Sequence, residues 1–104
     1  MLTAAREVGA TIIGDTFHRF QPHGVSGVVV IAESHLSIHT WPEHAYAAVD
    51  IFSCSASFRP EAAARVLIDG LDSARPSLLV VERGTTPAPS FQPVPREEFQ
   101  GQRV

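Results

Sequence analysis

The chain predicts an α+β fold: an antiparallel β-sheet with helices on one face. Three observations lead there. Most of the first 84 residues read as short strand-like runs rich in β-branched and aromatic residues. The breaks between these runs are short turns rather than helical crossovers. A single long amphipathic helical pattern follows the strands.

Residues 2–9 favour a short helix through leucine, alanine, arginine and glutamate, with Gly9 suited to the C-terminal cap. Residues 11–20 read as a strand, with Gly14 and Asp15 marking a bulge or bend. Gln21 to Gly24 is turn chemistry, and residues 25–31 form a buried β-branched run. Leu36 and Ile38 then alternate with His35, Ser37 and His39, the period of a half-buried strand. Pro42 argues for a loop over residues 40–44, and residues 46–53 give the next strand. Residues 59–74 are the strongest helix, with Pro60 in the first turn and a stripe of Ala63, Val66, Leu67 and Leu71. Residues 77–82 read as a last strand. The expected division is one domain over residues 1–84 and a proline-rich, extended or disordered tail over residues 85–104.

Bulk properties exclude several classes. The net charge of −3, with no basic or acidic block, argues against nucleic acid or an anionic membrane as the main partner. No apolar run has the length of a membrane span, and residues 1–10 lack the pattern of a signal peptide. One cysteine permits no intrachain disulfide, which fits a reducing cytoplasm. The chain contains no lysine; all eight basic residues are arginine. Pyridoxal phosphate chemistry, which needs a lysine aldimine, and a lysine-bearing phosphate loop are therefore excluded for this chain alone.

Chemistry-bearing residues concentrate between Ala32 and Cys54. This stretch holds three of the five histidines and the only tryptophan, tyrosine and cysteine. A serine or cysteine nucleophile with a histidine base would give a hydrolase, but Ser34 lacks the glycine-flanked elbow of that chemistry. His35, His39, His44 and Cys54 are possible zinc ligands at a spacing that matches no common zinc pattern. The residues alone leave these readings open beside a purely structural one.

The run Glu33-Ser34-His35, followed by Ser37-Ile38-His39-Thr40-Trp41-Pro42-Glu43, resembles the prokaryotic S-adenosylmethionine decarboxylase proenzyme family. The similarity extends from about Gly9 to Cys54 and more loosely to Gly84. It implies self-cleavage between Glu33 and Ser34 and conversion of Ser34 into a pyruvoyl group. The carbonyl of that group condenses with a substrate amine and accepts the electrons released on decarboxylation, work that pyridoxal phosphate does elsewhere. The same resemblance implies His39 as the processing acid/base and Cys54 as the proton donor to the substrate carbon. It implies Ser26 as an aid to processing, Glu43 on the ribose hydroxyls and Phe20 against adenine. It further implies a cytoplasmic homodimer whose two sheets stack into an α/β/β/α sandwich, S-adenosylmethionine as substrate, no metal, and a place in spermidine biosynthesis. Two alternatives use the same residues: decarboxylation of ornithine or arginine, or an unprocessed, inactive homologue acting as a binding or regulatory subunit.

Overall fold

A computed structural model describes residues 1–55, 57–84 and 91–95 of the chain. Helix α1 (Leu2–Glu7) leads into four strands, β1 (Thr11–Arg19), β2 (Val25–Ala32), β3 (Ser34–Trp41) and β4 (Tyr46–Ser53). A single 3₁₀ turn, Pro42–His44, separates β3 from β4. Helix α2 (Pro60–Gly70) and two short strands, β5 (Leu79–Val81) and β6 (Phe91–Pro93), complete the described order. The first four strands form one antiparallel sheet in the order β1-β2-β3-β4. This is the α+β arrangement expected, with both helices on one face.

The local reasons are legible residue by residue. Gly9 takes a left-handed φ of +72°. The N–H of Ala10 returns to the Ala5 carbonyl and that of Gly9 to the Arg6 carbonyl, which closes α1. The irregularity expected near Gly14 is a bulge: Ile12 pairs with Ile31 and Gly14 with Val30, leaving Ile13 as the extra residue, exposed. Helix α2 begins at Pro60, as expected, but ends four residues earlier than the sequence suggests. Asp72 adopts φ +52°, Ser73 N–H bonds the Ile68 carbonyl and Asp72 N–H bonds the Asp69 carbonyl. Asp72 thus takes the left-handed capping place more often filled by glycine, which is why the stop is hard to see in the sequence.

Two further expectations are corrected. Residues Thr40 and Trp41 do not begin a loop; they extend β3, because the Thr40 hydroxyl accepts the Val25 N–H at 2.8 Å and pins the strand end to β2. The last strand is shorter than residues 77–82 and does not join the main sheet. It pairs with β6, a segment of the proline-rich stretch. Residues 85–90 and 96–104, where the rest of the expected tail falls, lie outside the described residues.

The core lies between the sheet and the helices. Val29 and Ile31 of β2 and Leu36 of β3 pack with Ala4 and Ala5 of α1 and with Ala63 and Leu67 of α2. The alanines let the helix backbones approach the sheet and each other closely. Because residues alternate across a strand, the register that buries Val29 and Leu36 turns His35, Ser37 and His39 to the opposite face. That second face displays Trp41, Tyr46 and Val30, each exposed to about the extent of a surface residue.

Leu36 is fully buried at the centre of this core. Leu36→Ala is expected to destabilise the fold by about 2–5 kcal/mol, read as a lowered urea midpoint with an unchanged slope.

Candidate active site

The free face of the sheet carries two clusters, one at each end. The first is built where β1 turns into β2 and where β3 turns into β4. Ser26 and His39 stand directly opposite in the β2–β3 register, and the Ser26 Oγ lies 2.7 Å from His39 Nδ1. His39 neighbours Trp41, which in turn neighbours Tyr46, with ring centroids 6.3 Å and 5.6 Å apart. From the β1–β2 turn come Phe20, which meets His18 edge to face at 4.5 Å, and His23. His23 Nε2 lies 3.4 Å from Glu43 Oε1. Phe20, His23, Ser26, His39, Trp41 and Glu43, with Gly24 and Thr40, line a cavity of about 280 Å³.

Gly24 shapes this turn. It is buried at φ +103°, and a Cβ there would meet the Thr40 carbonyl oxygen at 3.1 Å. Only glycine allows the two turns to close on each other this tightly. The cavity is therefore a product of two hairpin ends brought together, with aromatic walls and a histidine–carboxylate pair at its mouth.

The second cluster lies at the other end of the same strands. The β2–β3 hairpin turns through Glu33 directly into Ser34, which pairs across the sheet with Ser53. Cys54 follows Ser53 and is exposed with a free thiol. Ser34 has φ +141°, a region that a non-glycine residue occupies only when its surroundings hold it there. Its hydroxyl lies 3.2 Å from Nδ1 of His35, and His35 Nε2 lies 3.3 Å from Oδ2 of Asp50. Asp50 reaches His35 diagonally, two residues along β4 from Phe52, the direct partner of His35. Phe52 lies edge-on to His35 at 6.0 Å and carries the Arg83 guanidinium over its own face at 4.1 Å.

The residues singled out in the sequence thus fall into two groups. Phe20, Ser26, His39 and Glu43 converge on the cavity. Glu33, Ser34 and Cys54 lie together at the hairpin end. His39 and Ser34 do not meet: they stand five positions apart on β3, about 17 Å at the rise of an antiparallel strand. Sequence reasoning missed His23, Trp41 and the His35–Asp50 pair. His35 was visible as the neighbour of Ser34, but its carboxylate partner emerges only from the β3–β4 register. Among the described residues, no three His, Cys, Asp or Glu side chains gather as a metal-holding group.

Comparisons with known proteins agree with this architecture. The family model described as S-adenosylmethionine decarboxylase matches residues 1–84. Relatives named S-adenosylmethionine decarboxylase proenzyme include one from Thermodesulfovibrio yellowstonii, 51% identical over 84 residues, covering 81% of this chain and 62% of the relative. Another, from Pseudomonas paraeruginosa, is 56% identical over 84 residues, with 81% and 52% covered. A crystal structure of the adenosylmethionine decarboxylase from Aquifex aeolicus superposes with a TM-score of 0.65 at 34% identity, covering 89% of this chain and 66% of that one. The chain spans less than two thirds of the length of each of these proteins. The family match over residues 1–84, together with a four-stranded sheet bearing the Glu33-Ser34-His35 hairpin, makes this chain a member of the S-adenosylmethionine decarboxylase family.

Proposed function

We propose that this chain is a self-processing, pyruvoyl-dependent decarboxylase of S-adenosylmethionine, working in the cytoplasm and supplying the aminopropyl donor for spermidine biosynthesis. One observation carries the reading. Ser34 sits at a hairpin corner with a positive φ, its hydroxyl against a histidine, with the free thiol of Cys54 following its cross-strand partner Ser53. A serine placed this way is suited to attack the carbonyl of Glu33 and become the source of the pyruvoyl group. Once formed, that group supplies the carbonyl and the electron sink that decarboxylation needs.

The separation of the two clusters supports a site assembled from two copies. In one chain, Ser34 and Cys54 lie at one end of the sheet, while Ser26, His39, Phe20 and Glu43 lie at the other. Two copies stacked with their free faces together and related by a two-fold axis bring each copy's Ser34 end over the other's cavity. The result is an α/β/β/α sandwich with two composite sites, and it covers Trp41, Tyr46 and Val30. In each composite site, His39 and Ser26 of one copy serve proton transfer near Ser34 of the other. Cys54 stands on the Ser34 side to return a proton to the substrate carbon after carbon dioxide leaves. Glu43, oriented by His23, accepts hydrogen bonds from ribose hydroxyls. Phe20 packs against the adenine. The aromatic walls of the cavity favour a nucleoside over ornithine or arginine, whose small aliphatic bodies would leave those walls uncovered.

Three outcomes are expected. Intact-mass analysis of purified protein finds two chains, residues 1–33 and 34–104, whereas Ser34→Ala stays whole; a wild-type chain that remains whole on incubation refutes the reading. Ser34→Ala and His39→Ala chains, each uncut alone, yield cut His39→Ala chain when co-expressed, because a mixed pair contains one complete site. In cut protein, Glu43→Gln raises KM for S-adenosylmethionine about tenfold or more, the loss of a charge-assisted hydrogen bond, with a smaller effect on kcat.

A further inference from the structure

We infer that His35, oriented by Asp50, is the base that takes the Ser34 hydroxyl proton when the Glu33–Ser34 bond is opened. The inference rests on the self-processing reading above and adds a residue and a step to it. Among the described residues, the hydrogen-bond partner of the Ser34 hydroxyl is His35 Nδ1, at 3.2 Å. His39 lies about 17 Å away along β3 and its Nδ1 is engaged by Ser26. Cys54, which follows Ser34's cross-strand partner Ser53, makes no hydrogen bond to Ser34 among the described residues. The hydroxyl therefore already has a base within its own chain, before any second copy arrives.

Asp50 makes His35 fit for the role. An acceptor at Nδ1 requires the proton on Nε2, and a carboxylate 3.3 Å from Nε2 holds that tautomer. The ring is also fixed laterally by Phe52, edge-on at 6.0 Å, which is itself capped by Arg83. Serine, histidine and aspartate thus stand in the order of a nucleophile, its base and the group that orients the base. The contacts are long for strong hydrogen bonds, as catalytic contacts often are before the reacting atoms close up.

The step balances within the chain. Ser34 Oγ forms a bond to the Glu33 carbonyl carbon while its proton passes to His35 Nδ1. The imidazolium, stabilised by Asp50, then returns that proton to the Ser34 nitrogen as the C–N bond breaks. An ester joins Glu33 to Ser34 Oγ, the Ser34 amine is free, and His35 is neutral again. No outside reactant is consumed.

The test uses hydroxylamine, which splits an ester but not an amide, on freshly made full-length chain. His35→Gln keeps a hydrogen-bonding side chain but removes the base. It is expected to slow hydroxylamine-dependent splitting at 33/34 by about a hundredfold or more, the usual range for loss of a general base. His35→Ala is expected to regain splitting when imidazole is added, a readout that a merely structural role would not give. Asp50→Asn is expected to slow the step about tenfold, and Asp50→Glu to recover part of that loss. Splitting of His35→Gln by hydroxylamine at the wild-type rate overturns the inference alone, because the ester then forms without His35. An absence of imidazole rescue in a folded His35→Ala chain overturns it as well. A wild-type chain that neither cuts itself nor yields to hydroxylamine overturns the self-processing reading and this inference together.

Discussion

Leu36 stands opposite Val29 on one side and opposite Ile51 on the other, and the first two are wholly buried beneath the helices. A shift of this register by one residue would turn Leu36 and Ile38 to the free face and drive His35 and His39 into an apolar core. Burying unpaired imidazoles and exposing the best-packed side chains would both oppose folding. The hydrophobic alternation of β3 therefore does more than stabilise the sheet. It fixes which side of the sheet carries the histidines, and it lines up Ser26 with His39 and Asp50 with His35.

The same register explains why the candidate residues are divided. In an antiparallel meander every second turn lies at the same end of the sheet. The β1–β2 and β3–β4 turns therefore meet and make the cavity, while the β2–β3 hairpin and the end of β4 lie at the far side. Gly24 reinforces the first meeting through its close approach to the Thr40 carbonyl. A motif that is continuous in sequence, from Glu33 to Glu43, is thus stretched along β3, with Ser34 at one end and Glu43 just beyond the other. Proximity in sequence is not proximity in space on an extended chain.

This is also the measure of what the sequence disclosed. The alternation at Leu36 and Ile38, the cap at Gly9, the bulge beside Gly14 and the first turn at Pro60 are all local signals, and each is found where the residues indicate. The end of α2 was hidden because Asp72 fills a place that glycine usually marks, and the extent of β3 was hidden because a side-chain bond from Thr40 extends it. The family was legible through the Glu33-Ser34-His35 run and its downstream residues. The spatial division of the candidate residues was not, since that depends on which turns share an end. The Asp50 partner of His35 lies outside any local pattern, because a diagonal contact between strands has no fixed spacing in sequence.

The position of the hairpin corner also accounts for how such a molecule would survive its own cleavage. A positive φ at a serine costs on the order of 1–3 kcal/mol, and it persists at Ser34 because paired strands on both sides hold it. A cut between Glu33 and Ser34 leaves α1, β1 and β2 on one piece and β3, β4 and α2 on the other. The core is shared across that division: Ala4, Ala5, Val29 and Ile31 come from the first piece, Leu36, Ala63 and Leu67 from the second. Each large side chain among them contributes about 1.5–3 kcal/mol by its burial, and the β2–β3 ladder still joins the two pieces. The strain at the corner is small against that sum. Opening the bond would release the strain and free the Ser34 nitrogen, while the packing that positions Ser34, His35 and Cys54 would remain.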